Sequence, residues 1–281
     1  AHHHRITHAV VLMVELGDLR EGVPSDHVVD LARTVQQRPG LRLDGLGTNL
    51  ACHSGVVPDQ SKMDELSSLV EQVESACGHE LSVVSGGNSA NLEWVMTTDD
   101  VGRIDDLRLG ESILLGTEPL HRQPIDGLHT DAFTLVAEVI EARTKPASPW
   151  GDVAQTAFGD HRPRRGVGSI RHAIVALGRQ DVDPDGITLP PGITALGMSS
   201  DHLVLDIGDN DISVGGEIRI RLNYSALVRV MTSPFVVKVE RGSRRARPET
   251  SAMPRVGHRH PRRRGQRPEE TARGLSRAKP S

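Results

Sequence analysis

Aromatic residues are nearly absent: three Phe, two Trp and one Tyr make up 2% of the 281 residues. A core without rings must be filled by Leu, Val, Ile and Ala, and a hydrophobic content of 37% is enough to build one. Long apolar runs are missing too; none approaches the ~18 residues that a membrane-spanning helix needs. The opening stretch AHHHRITHAVVLMVE runs straight into a strand-like segment and lacks the plan of a secretory leader. Only two cysteines occur, Cys52 and Cys77, at no metal or redox spacing. A reduced, cytoplasmic protein with no membrane segment is therefore expected. Neither a Walker sequence nor a G-x-G-x-x-G fingerprint is present.

The net charge of −4 conceals an asymmetry. Residues 241–281 hold 12 Arg and 1 Lys against 3 Glu, a net of +10, which leaves −14 on residues 1–240. The basic segment has no aromatics and almost no aliphatic residues. It cannot bury enough surface to offset its ordering entropy, so a disordered basic tail is expected. Its charge alone would suit a nucleic-acid arm, but a solvated extension is the simpler reading.

The first 120 residues alternate in character. AVVLMVE (9–15) reads as a buried strand, and SDHVVDLARTVQQ (25–37) as a helix with Val28, Val29, Leu31, Ala32 and Val35 on one stripe. LRLDGLGTN returns to strand. Met63, Leu66, Val70, Val73 and Cys77 then recur at helical spacing, closed by Gly78. ELSVVS and NSANLEWVM form a third pair, and VGRIDDLRLG with ESILLG a fourth, its strand ending near Leu107. Four β-then-α units in succession predict a parallel sheet with right-handed crossovers. From 131 the rhythm changes to short β-type runs: FTLVAEVIEA, IRHAIVALG, ITALGMSSDHLVLDIG, GEIRIRLN and FVVKVE. A mostly antiparallel second domain over 131–240 is expected.

In parallel α/β folds ligands sit at the C-terminal ends of the strands. The segments there are LGDLREG, TNLACHSG, SGGNSAN and RLGES, all rich in glycine and small polar residues. Glycines let backbone N–H groups approach closely, and such corners gather phosphates. A tight turn with a helix cap explains either SGGNSAN or RLGES alone. Two such corners on adjacent strands add the phosphate reading beside it.

Together VELGDLREG, GLGTNLAC, SGGNSAN, LRLGESILLG, ALGRQDVDPDG and MSSDHLVLDI resemble the alanine/ornithine racemase family of pyridoxal-phosphate enzymes, over roughly residues 5 to 238. The resemblance implies an α/β fold: a (β/α)8 TIM-type barrel, here about four βα units in residues 1–130, followed by the β domain. It implies pyridoxal 5'-phosphate as cofactor, a small amino acid as substrate and a homodimer. By motif, Ser89 with the backbone of Asn88 and Gly110 matches the cofactor-phosphate cup. Arg108 matches the arginine facing the pyridine nitrogen, Arg20 the arginine near the phenolic oxygen, and Asn49 the residue by the ring face. Tyr224 is expected to reach the phosphate. Asp201 and His202, from the β domain, are candidates for catalysis across a dimer.

Two departures stand out. Racemisation of this type needs a Schiff base with a lysine at the end of the first barrel strand. The sequence has only Lys62, Lys145, Lys238 and Lys279, none of them after a barrel strand. Four βα units are also half of the eight that close a barrel. The expectation is a truncated family member with a cofactor half-site and no racemase activity of its own, whose open sheet edges make it poorly soluble unless they are completed by another chain or by self-pairing. Second, where alanine racemases place a tyrosine base, ALGRQDVD has Arg179, Gln180 and Asp181. That favours a longer amino acid such as ornithine, with Glu111 or Asp181 open to a distal ammonium. The alternatives are a non-catalytic pyridoxal-phosphate-binding remnant and a D-threonine-aldolase-like lyase; for the latter SSDHL offers a single Asp-His pair, and no metal site is expected.

Overall fold

A computed structural model of the protein describes residues 4–159 and 166–241. The expected basic tail, apart from its first residue, lies outside these, as does Lys279.

Four strands, β1 (His8–Val14), β2 (Leu41–Thr48), β3 (Val83–Asn88) and β4 (Asp106–Arg108), form a parallel sheet in the order β1-β2-β3-β4. The crossovers carry α1 (Val28–Gln36), α2 (Gln60–Cys77) and α3 (Leu92–Thr97), and α4 (Glu111–Leu115) follows β4. Sequence order equals spatial order, as in one arc of a βα barrel. β1 and β4 are the edges.

Local chemistry sets the helix ends. Asp59 accepts a hydrogen bond from the Lys62 backbone N–H and caps α2, while Gly78 ends it in the left-handed conformation at φ 72°. The face the spacing predicts for α2 is buried: Met63, Leu66, Val70 and Val73, with Cys77 partly so. On α1, Val28, Ala32 and Val35 are buried, but Leu31 falls outside the stripe and is exposed. These side chains pack on Val14, Leu43, Leu46 and Val84 of the strands. Trp94 of α3 is 9% exposed and donates its indole N–H to the Gln60 side chain at 3.1 Å.

The second sheet comprises β5 (Leu135–Pro146), β6 (Ser169–Val175), β7 (Ile187–Thr188), β8 (Thr194–Met198), β9 (Leu203–Asp206) and β10 (Glu217–Leu222). It runs β7-β10-β5-β6-β9-β8, with every pairing antiparallel. Leu135, Val139, Val175, Leu203, Leu205 and Ile220 form its core. Trp150, on the segment after β5, is 82% exposed.

The structure differs from the sequence expectation in further places: β1, read as a buried strand, is an edge strand with Val11 exposed and only Val14 buried. FVVKVE forms no strand. Pro234 immediately precedes it, and Phe235 and Val237 project into solvent. Just before it, Tyr224–Thr232 is helical, α5, with Ala226, Leu227 and Val230 buried. Asn223 starts that helix by accepting from the Ala226 N–H at 3.0 Å. No helix among the described residues is long and apolar enough to cross a membrane.

Candidate functional site at the strand ends

The corner after β3 explains its own composition. Asn88 and Asn91 cap each other: the Ala90 N–H donates to Asn88 Oδ1 at 2.7 Å and the Asn88 N–H to Asn91 Oδ1 at 3.2 Å. Asn91 also donates to the Gly86 carbonyl at 2.9 Å. Gly87 sits at φ 144°, and a Cβ there would lie 2.1 Å from Asn91 Oδ1. Only glycine lets the strand turn this tightly around a buried amide.

That turn delivers Ser89 to the corner after β4. The Gly110 and Ser112 N–H groups each lie 3.2 Å from Ser89 Oγ, and Ser112 Oγ lies 3.0 Å from it. Ser89 and Ser112 are both buried. Two backbone donors and a hydroxyl therefore converge on one oxygen position. Sequence reasoning put Ser89 and Gly110 here and missed Ser112, whose only signal is a hydroxyl two residues beyond Gly110.

Arg108 binds the strand ends together. Its guanidinium donates to Ser85 Oγ, to the Thr48 carbonyl at 2.7 Å and to Asn49 Oδ1 at 3.5 Å. Asn88 Nδ2 also reaches Asn49 Oδ1, at 2.9 Å, together with the Leu50 carbonyl at 2.7 Å and Cys52 Sγ at 3.3 Å. Asn49 Oδ1 thus faces two donors, which fixes the orientation of its amide. Its Nδ2 is buried without an acceptor among the described residues. Ser85, Thr48 and Cys52 were not singled out as partners from sequence.

The corner after β1 joins through Asp18 and Glu21. Buried Asp18 accepts from the backbone N–H groups of His53 and Ser54 at 3.1 and 2.9 Å, pinning the segment that carries Asn49 and Cys52. Arg20 pairs with Glu21, with Nη2 to Oε1 at 2.6 Å. That hydrogen bond pushes the Arg20 pKa up, and the neighbouring Cys52 adds to it. The Glu21 carboxyl is held below its ordinary value first by Arg20, and the charge of Arg108 lowers it further. Arg20, Glu21, Cys52, Asn49, Asn88 and Arg108 therefore form one polar cluster beside the Ser89 cup.

The β-domain candidates stand apart from it. Asp201 and His202 occupy the turn between β8 and β9, with Asp201 Oδ1 2.9 Å from His202 Nδ1. Partial loss of water raises the Asp201 carboxyl, but His202 and the Ser200 and Ser199 hydroxyls outweigh this and hold it below 3.8. The turn rests on the ALGRQD segment: Arg179 and Gln180 donate their N–H groups to the Ser199 and Ser200 carbonyls at 2.9 and 3.0 Å. Tyr224 is the first residue of α5 and is exposed. Among the described residues no hydrogen bond joins Tyr224, Asp201 or His202 to the strand-end cluster, and no group of three His, Cys, Asp or Glu side chains suited to a metal gathers anywhere.

Both carboxylates expected to be open to a distal ammonium are engaged. Glu111 is ion-paired with Arg122. Asp181 is buried, accepting from the Gly178 N–H at 3.1 Å and from Ser233 Oγ at 3.1 Å.

A parallel β/α arc with a polar strand-end cluster, followed by an antiparallel β sheet, defines an alanine-racemase-type fold. Solved structures agree. An alanine racemase from Streptomyces coelicolor superposes with a TM-score of 0.55 at 20% identity, covering 76% of this chain and 57% of that one. A D-threonine aldolase from Filomicrobium marinum superposes at 0.53 and 20% identity, covering 77% and 55%. The profile of the family "Alanine racemase, N-terminal domain" matches residues 1–119. Lysine racemase of Thermotoga maritima is 38% identical over 232 residues, 82% of this chain and 65% of that protein. Ornithine racemase of Acetoanaerobium sticklandii is 33% identical over 235 residues, 82% and 67% respectively. The chain belongs to the alanine/ornithine racemase family of amino-acid racemases, and it spans about two thirds of the length of these curated relatives.

Proposed function

We propose that the chain binds pyridoxal 5'-phosphate through the Ser89–Gly110–Ser112 cup and is built for racemising an amino acid with a long side chain. Supporting the reading is the convergence of two backbone N–H groups and a hydroxyl on Ser89 Oγ. A phosphate monoester held beside that oxygen would share these donors with Ser89 Oγ, whose hydroxyl adds a further donor. The site fits the group in a second respect: Asn49 Nδ2 and the Arg108 guanidinium offer donors to the rest of it. The lysine and ornithine racemases among the relatives favour a diamino acid.

When bound, the cofactor supplies an electron sink for the substrate's α-carbon. Arg108 is always charged and donates hydrogen bonds without releasing a proton, so a ring nitrogen facing it would stay unprotonated. Arg20 brings a second positive charge on the β1 side, balanced by Glu21. Asp201 orients His202 through Nδ1, leaving Nε2 to take or return a proton; in a homodimer this pair would serve the partner's site. Tyr224 would then complete the phosphate contacts. In this division residues 1–130 are the cofactor-binding part and 131–240 the β domain.

No described lysine stands at the cup. The chain as given is therefore expected to hold the cofactor without racemising. Calorimetric titration with pyridoxal 5'-phosphate and with pyridoxal tests the cup: the phosphate ester binds and the free alcohol does not. Equal affinity for both would refute it.

A further inference from the structure

Between the two backbone donors of the cup the chain carries a carboxylate. Glu111 lies between Gly110 and Ser112, whose N–H groups meet at Ser89. Its side chain is only 14% exposed, so water screens it poorly. An uncompensated negative charge there would oppose any anion entering the cup. The countercharge comes from Arg122, whose guanidinium pairs with Glu111.

The segment bearing Arg122 is tied down by Glu118. Buried Glu118 accepts from the backbone N–H groups of Leu120 at 2.6 Å, His121 at 2.8 Å and Gln123 at 2.7 Å. Its own N–H donates to the Gln123 carbonyl at 3.0 Å, and the Arg122 N–H to the Glu118 carbonyl at 3.1 Å. Within this knot Arg122 adopts φ 60°, a left-handed conformation that costs a non-glycine residue energy. Strain of this kind persists only where surrounding bonds impose it.

We propose that Arg122 is a positioning residue of the anion cup, neutralising Glu111 so that the cup presents a net positive field to a phosphate. The proposal rests on the phosphate reading of the cup. A mere tether predicts something else: either partner's removal would loosen the segment, and removing both would help nothing.

The test measures binding of inorganic phosphate and of pyridoxal 5'-phosphate to the full chain by calorimetry, with circular dichroism to confirm folding. Arg122→Ala is expected to weaken both by roughly tenfold, about 1.4 kcal/mol. The double variant Glu111→Gln/Arg122→Ala recovers most of that loss, and Arg122→Lys retains most of the affinity. Glu111→Gln alone leaves the Arg122 charge unopposed and tightens phosphate several-fold, which decides the matter if Arg122→Ala fails to fold. Unchanged or weaker binding by Glu111→Gln, or a double variant no better than Arg122→Ala, overturns the proposal. If the unsubstituted chain binds neither probe, the cup reading itself falls.

Discussion

Arg108, at the end of β4, donates a 2.7 Å hydrogen bond to the carbonyl of Thr48, at the end of β2, and so spans the full width of β3. On the way it meets Ser85 of β3. One side chain therefore fixes the relative height of three strand ends, the level at which the cup is assembled.

Arg108→Leu removes these donors and leaves buried acceptors unpaired. The expected loss is about 1–3 kcal/mol of stability, read from urea unfolding, together with weakened cofactor binding. Arg108→Lys keeps the charge but not the fork of donors, and falls between the two.

Gly87→Ala is expected to cost about 1–3 kcal/mol and to lower affinity for phosphate compounds. The new Cβ collides with Asn91 Oδ1 at 2.1 Å, and the φ of 144° suits no L side chain. Thermal unfolding and phosphate titration check the two effects. Gly55→Ala, also left-handed at φ 69° but open on all sides within 4 Å, should leave phosphate binding untouched.

Acidification should destabilise the fold through His172 on β6. Burial depresses its pKa below 6.5, nearby Lys145 adds to that, and Glu141 and Asp206 oppose it. The unfolded chain takes up the proton more readily than the folded one. The contribution is whole above about pH 6.5 and is lost as pH falls through the folded value. The carboxyls of Glu74 and Glu118, lowered from 4.5, matter only in more acid solution. Melting temperatures measured from about pH 7.5 to 5.5 should fall, and His172→Gln should flatten the slope.

Borohydride reduction in the presence of pyridoxal 5'-phosphate should give no stoichiometric adduct on a single lysine. Lys62 is paired with Asp59 on the helical side of the sheet, Lys145 with Glu141 on β5, and Lys238 donates to the Ser233 carbonyl. Peptide mapping by mass spectrometry gives the answer; one fully labelled lysine would contradict this account of the site.

The parallel strands were legible because each is a short apolar run closed by glycine and small polar residues, and α2 because Met63, Leu66, Val70 and Val73 keep strict helical spacing. Ser89 and Gly110 could be singled out because each follows a strand in a short segment of glycine and small polar residues, although their contact spans 21 positions. What escaped depends on distance. Thr48 serves as acceptor to a side chain 60 positions away, and Arg122 reaches Glu111 only because the Glu118 knot bends the chain back. α5 escaped because ALVRVMT is rich in β-branched valine, which favours strands unless packing decides otherwise; the Asn223 cap was the available signal.

The scarcity of rings leaves two tryptophans, one on α3 and largely shielded, the other on the segment after β5 and almost fully wetted. Their emission should separate by colour, Trp94 blue and Trp150 red. Melting can thus be followed at two points of the molecule at once, with no dye attached.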